Sequence, residues 1–186
     1  MIKVFTAITA NHDPARSDIE VLTETLGASP LQAARRYKWL APEVIFADAD
    51  WTIWLDGNVF LNVEPEVLVA KCGDADFGVF THSHHENILQ EYIACVHHFP
   101  EMQPGLLRAR NTYAPREAEA TTPAMTMVVV RRNNKATQEA SWKLWTAMFD
   151  TGCYRDQLLF PKFFPGPYWP AVDFTQPNEF FTRIEA

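Results

Sequence analysis

Apolar runs too short to be core helices recur along the chain, and helix-compatible stretches separate them. Ile2–Ile8, Trp51–Leu55, Phe77–Thr81 and Met125–Val130 read as buried strands. Ser17 and Glu20 have capping-box spacing, but Ile19, Val21 and Thr23 alternate with polar neighbours, so a short strand is expected there. Pro30 opens a helix through Leu40, and Pro42 is expected to close it. Further helices are expected from Pro65 to Lys71, from about Glu86 to Phe99, and from Ala136 to Phe149. The stretch from Pro100 to Pro123 shows no period. The last 26 residues carry five prolines and seven aromatics, which suits a segment wrapped over the domain surface. Strands alternating with helices predict an α/β fold: one mostly parallel sheet with helices on both faces. Nothing marks a boundary, so residues 1–186 are expected to form a single domain.

In such sheets ligands sit beyond the carboxyl ends of the strands. Polar residues just after each strand are therefore the candidates. Asp56-Gly57-Asn58 follows the most apolar strand. Asp56 and Asn58 offer hard oxygen donors suited to magnesium or manganese shared with a diphosphate, and Gly57 lets backbone approach a ligand. The same Asp-Gly between apolar runs also suits a hairpin turn. Arg35, Arg36 and Lys38 precede that strand and offer either phosphate contacts or a solvated helix face. His82, His84 and His85 follow the Phe77 strand, where His-x-His offers a zinc site or, at His82, a substrate contact. His97 and His98 read as structural. Arg155-Asp156-Gln157 opens a short apolar helix, with Asp156 either a cap or a site carboxylate.

Charge and cysteine usage narrow the classes. The formal charge of −7 argues against a nucleic-acid partner. Three widely spaced cysteines without a Cys-x-x-Cys argue for free thiols in a reducing compartment, and a cytoplasmic location is expected. No apolar run is long enough to span a bilayer, and the N-terminus lacks secretory features. Gly-x-Ser-x-Gly, Gly-x-Gly-x-x-Gly and Walker-type motifs are absent.

Five segments together resemble a known family. Ala34-Arg35-Arg36-Tyr37-Lys38-Trp39-Leu40-Ala41-Pro42, Trp51 to Val59, Phe80 to His85 with Glu91, Arg131-Arg132-Asn133 and Arg155-Asp156-Gln157-Leu158 resemble glycosyltransferase-like domains. Those domains occur in bacteria and phages and in plant proteins linked to mucilage polysaccharide. The resemblance implies a GT-A-like fold, a nucleoside diphosphate sugar as donor and a glycan or other hydroxyl as acceptor. It also implies that Asp56-Gly57-Asn58 stands where related transferases carry Asp-x-Asp, with Asn58 replacing the second carboxylate. His85 stands at the family's usual arginine, and Ala41-Pro42 replaces its Pro-His. Under this reading Thr6, Ala7, Arg35, Lys38, Asp56, Gly57, Asn58, His82 and Gln157 bind the donor. Asp56 and Asn58 hold a manganese or magnesium ion, and Asp156 and Glu91 are the candidate catalytic carboxylates. Two rivals stand beside it: a non-catalytic nucleotide-sugar or carbohydrate-binding module, and a zinc hydrolase built on His82, His84 and His85.

Overall fold

The strands form where apolar side chains alternate. The computed structural model describes residues 1–10, 15–25 and 27–184. It opens with β1 (Ile2–Ala7), β2 (Glu20–Leu22), α1 (Pro30–Val44), β3 (Trp51–Leu55) and β4 (Val59–Leu61). Then follow α2 (Pro65–Cys72), β5 (Phe77–Thr81), α3 (Ile88–His98), α4 (Gln103–Arg110) and α5 (Pro115–Ala120). The chain ends through β6 (Ala124–Arg132), α6 (Lys135–Thr151), α7 (Phe160–Phe163) and β7 (Phe181–Arg183).

Five strands make the central sheet in the order β2-β1-β3-β6-β5. β1 pairs in parallel with both β2 and β3, while β6 runs antiparallel to β3 and β5. Four strands therefore point one way and β6 alone is reversed. Phe5, Trp54, Val79 and Val129 pack on one face with Trp39 of α1, Leu144 of α6 and Phe160 of α7. The alternate residues Ile53, Leu55, Phe80, Val128 and Val130 pack on the other face with Leu68 of α2. Both faces are covered, as the sequence implied, and no described helix is long and apolar enough to cross a membrane.

Residues 51–61 do not form a hairpin. β3 lies inside the sheet between β1 and β6, and after Asp56 the chain leaves to pair β4 with the distant β7. Ser17–Glu24 contains the short strand β2, as its alternation predicted. The region from Pro100 to Pro123 holds two helices that sequence reading missed. They have only 8 and 6 residues, and each carries a proline in its first turn, where the missing N–H is harmless. The C-terminal segment straps the sheet. Trp169 exchanges backbone hydrogen bonds with Val79 and Thr81, and its indole lies where a Cβ on Gly78 would sit. Phe174 and Phe181 then bury themselves against Phe80.

α1 starts as expected, with Ser29 and Gln32 completing a capping box ahead of Pro30. It does not stop before Pro42, however, and runs to Val44 with the proline inside. Proline has no N–H to give the carbonyl four residues back, which here is Lys38. Arg131 supplies the missing donor: Nη2 bonds the Lys38 carbonyl at 2.6 Å, and Nη1 bonds Ser141 Oγ at 2.8 Å. Asn133 Nδ2 takes the carbonyls of Pro42 and Phe46 at 2.9 and 3.0 Å. The Arg131-Arg132-Asn133 segment thus stitches the end of α1 to β6. Burial pulls the Arg131 guanidinium down to about 9, and no carboxylate offsets that among the described residues.

Arg131→Met is expected to destabilise the fold by about 1–3 kcal/mol, the penalty for stranding buried carbonyls. Adding Pro42→Ala gives α1 its own donor to the Lys38 carbonyl and recovers part of that loss. A double-mutant cycle by urea denaturation checks this. Purely additive effects would mean that the two residues do not share the carbonyl.

Candidate functional site

β1, β3 and β5 run the same way, so Ala7, Asp56 and His82 leave the sheet at one edge. β6 is reversed and therefore begins there, with Met125 and Thr126. Between these ends and the Arg155–Gln157 segment opens a cleft of about 770 Å³, the size of an ordinary small-ligand site. Ala7, Arg35, Asp56, Gly57, Asn58, His82, Asp156 and Gln157 all line it. Thr6 does not. It is fully buried one residue short of the strand end. Lys38 and Glu91 lie behind the wall, nearly inaccessible. By the same crevice rule the turn-forming residues Thr9 to Asp13 after the first strand are expected beside Asp56, and of these Asn11, His12 and Asp13 lie outside the described residues.

Arg35 and Lys38 stand three positions apart on α1, on one face of the helix. Lys38 Nζ reaches 2.6 Å from Asp156 Oδ2 and 3.9 Å from Asp56 Oδ1. Arg35 Nε lies 3.8 Å from Asp156 Oδ1, and its Nη1 lies 4.0 Å from Asp56 Oδ1. Arg35 also donates from Nε to the Tyr154 carbonyl at 3.2 Å, which fixes the guanidinium against the Asp156 turn. Thr126 Oγ1 donates to Asp156 Oδ1 at 3.1 Å, and Trp54 Nε1 donates to Asp56 Oδ1 at 2.8 Å. Two carboxylates about a hundred residues apart in sequence thus share the same two cations. Burial opposes ionisation of Asp156, but Lys38 and Arg35 outweigh it and hold the carboxyl down to about 2. Burial pulls the Lys38 ammonium below the ordinary lysine value, against Asp156 and Asp56.

On the opposite wall Arg155 Nη2 donates to Gln157 Oε1 at 2.7 Å and lies 3.8 Å from Glu91 Oε1. Glu91 also accepts from Cys95 Sγ at 3.1 Å and meets His85 Nδ1 at 2.5 Å. His82 Nδ1 accepts the backbone N–H groups of His84 and His85 at 3.2 and 3.1 Å. Its Nε2 lies 3.5 Å from Glu91 Oε2. Burial, partly offset by Glu91, pulls His82 down to about 4, so the ring is neutral near pH 7. With Nδ1 accepting, the proton sits on Nε2 and faces Glu91.

That tautomer decides the zinc reading. The residues that converge are His82, His85 and Glu91, with His84 left out. A metal on His82 Nε2 needs a lone pair that this nitrogen lacks while Nδ1 serves two amides. The histidine cluster orients a loop instead.

For a manganese or magnesium ion, Asp56 and Asn58 leave one free carboxylate oxygen, Asp56 Oδ2, and one neutral amide oxygen among the described residues, a poor set. A hard divalent cation needs several oxygen ligands. Asp56 Oδ1 is already bonded by Trp54, with two cations about 4 Å away, and each repels a further unit charge at that range by about 4 kcal/mol at intermediate dielectric. Asn58 brings no charge, and both oxygens of Asp156 are engaged by Thr126, Arg35 and Lys38.

Sequence reasoning missed several wall residues. Thr126 was overlooked because β6 enters from the edge where its neighbours leave. His98 and Phe99, at the end of α3, line the cleft although His98 read as structural. Arg183 reaches it through the pairing of β7 with β4, which no local pattern encodes.

Asp156→Asn is expected to flatten the acid limb of the stability curve. The native carboxyl ionises near 2, so its contribution is full above about pH 4 and disappears as pH falls toward 2. The amide variant lacks it throughout and also strands the buried Lys38, a loss of about 3–5 kcal/mol at neutral pH. Denaturant titrations across that range check this, and parallel curves would show that the pair contributes nothing.

No protein-family model and no curated protein sequence matches this chain. Among solved structures, a glycosyltransferase involved in glycosylation of the major capsid of PBCV-1 aligns with a TM-score of 0.52 at 12% identity. That alignment covers 98% of this chain and 92% of the other. The apo structure of WbbM, a bifunctional glycosyltransferase, aligns with a TM-score of 0.45 at 10% identity, over 100% of this chain and 45% of its own. The likeness to the capsid-modifying enzyme is one of fold: this chain has a GT-A-like α/β architecture along nearly its full length.

Proposed function

We propose that this chain transfers a sugar from a nucleoside diphosphate donor to the hydroxyl of a glycan or other acceptor. One observation carries the reading. The cleft at the strand ends gathers Arg35 and Lys38 against Asp56 and Asp156, in a chain whose overall charge is −7. Arg155 and Arg183 also line the cleft, so cations outnumber carboxylates there, which matches a leaving group that gains negative charge as the glycosidic bond to phosphate breaks. Fixed cations in a partly dry site stabilise such charge without reorganising.

The residues divide the work by burial. Lys38 is held beneath the floor and keeps Asp156 charge-matched. Arg35 is more accessible and contacts the diphosphate directly. Asp56 is the more exposed carboxylate, with 28% of its side chain accessible against 2% for Asp156. It accepts hydroxyls of the donor sugar, with Asn58 and Gln157 beside it offering amide groups of both polarities. Ala7, Leu31 and Ala34 form an apolar wall suited to the nucleoside. Asp156 was a candidate base for the acceptor proton. A carboxylate that ionises near 2 is too weak a base for that task, and its role in this reading is to position Arg35 and Lys38. Glu91, sealed behind His82, positions that ring and Arg155.

Calorimetric titration with a panel of nucleoside diphosphate sugars, paired with an assay for released nucleoside diphosphate, tests the proposal. One donor is expected to bind and, with an acceptor, to be consumed. Arg35→Gln is expected to weaken that donor about tenfold, the scale of one charge-assisted contact, and to lessen its salt sensitivity. Binding without turnover across a broad acceptor set would favour the non-catalytic binding module. No binding of any donor would sink the proposal.

A further inference from the structure

The carboxylates of the cleft are matched from within the protein. Asp156 takes Lys38, Arg35 and Thr126, and Asp56 takes Trp54 with the same two cations nearby. Two further arginines line the cleft, Arg155 with Nη2 bonded to Gln157 and 3.8 Å from Glu91, and Arg183. Arg155 stacks 4.8 Å over the Phe99 ring, and its Nε is buried with no acceptor among the described residues. Arg183 stands on β7 in register with Val59 and forms no ion pair among the described residues. The Ile184 N–H donates to the Asn58 carbonyl at 2.9 Å, which fixes β7 against the Asp56–Asn58 turn. Arginines thus approach the cleft from α1, from the Arg155 turn and from β7.

We propose that this cleft binds the diphosphate of its donor without a divalent cation, through Arg35, Arg155 and Arg183. The inference rests on the donor-site reading above. Three considerations favour it. The two positions at which a metal was expected offer one unengaged carboxylate oxygen, Asp56 Oδ2, beside two cations, and one neutral amide. Guanidinium forks match phosphate oxygens in geometry and need no deprotonation. Asn58, unfit as a charged ligand, offers through Nδ2 an N–H that a phosphate oxygen accepts. Asn58 is then part of the anion site, where a second aspartate would repel the ligand.

The test is calorimetric titration of the full chain with uridine, guanosine, cytidine, adenosine and thymidine diphosphates, once in EDTA and once in manganese. For the nucleotide that binds, the affinity is expected to differ by less than about threefold between the two conditions. Arg183→Gln and Arg155→Gln are each expected to weaken it about tenfold in EDTA. Asp56→Asn separates the two chemistries by direction: it removes a negative charge from an arginine site and leaves affinity equal or tighter, but it would abolish binding at a metal site. Binding in manganese alone, or loss of binding in Asp56→Asn, overturns this inference and leaves the transferase reading standing. Equal affinity of both arginine variants and the parent chain in EDTA overturns the arginine assignment. Binding of no nucleotide under either condition overturns the transferase reading and this inference with it. Arg183 is solvent-exposed, so circular dichroism of that variant is expected to match the parent chain.

Discussion

The ammonium of Lys38 has no route to solvent, and a charge so placed exists only because Asp156 stands 2.6 Å from it. Taking both ions out of water is expensive, and the mutual attraction offsets that only when the remaining valences are also met. Here Thr126 from β6 bonds Asp156 Oδ1 and Arg35 from the same helix lies beside it, whereas Lys38 Nζ has beyond the pair only Asp56 of β3, 3.9 Å away. One pair therefore fixes the relation of α1, two central strands and the Asp156 turn. Replacing it by apolar residues would make a more ordinary core. What the pair contributes in exchange for its desolvation is a rigid mount that holds Arg35 and Asp56 at the cleft.

Reversal of a single strand gives the cleft its composition. An all-parallel sheet would bring only carboxyl ends to this edge. Because β6 runs the other way, the edge also receives the first residues of a strand, and Thr126 reaches Asp156 from there. The reversal also places the far end of β6 at the opposite edge, where Arg131 and Asn133 bind the last carbonyls of α1. A single nine-residue strand thereby grips α1 at its C-terminal end and supports the site at the other side of the sheet.

Much of this was legible in the sequence, and the failures have definite causes. Strand positions followed from period-two apolarity, including β2, where Ile19, Val21 and Thr23 outweighed a helical start signal. The end of α1 did not, because Pro42 breaks a helix only when the stranded carbonyl goes unmet, and Arg131 meets it from ninety residues away. The helices between Pro100 and Pro123 were too short to show a period. At the site, residues that follow strands of the common direction were readable from the crevice rule. Thr126 and Arg183 were not, since one depends on strand polarity and the other on a pairing between segments far apart in the chain. Asp156 was readable as a site residue through its neighbours in sequence, but its burial, and hence its weakness as a base, belongs to the tertiary structure alone.

The buried pair also bears on the order in which the molecule can assemble as it is synthesised. Lys38 emerges early and Asp156 late, with three of the five central strands and α6 between them. Until that carboxylate arrives, a folded α1 would carry a sealed ammonium with only the partly exposed Asp56 to answer it. Unbalanced charge of that kind is worth several kcal/mol, comparable to the whole stability of a domain this size. A folded α1 without the Asp156 turn would have to shed the Lys38 proton or keep that side chain out of the core. The seating of this helix is therefore tied to a carboxylate more than a hundred residues further along the chain.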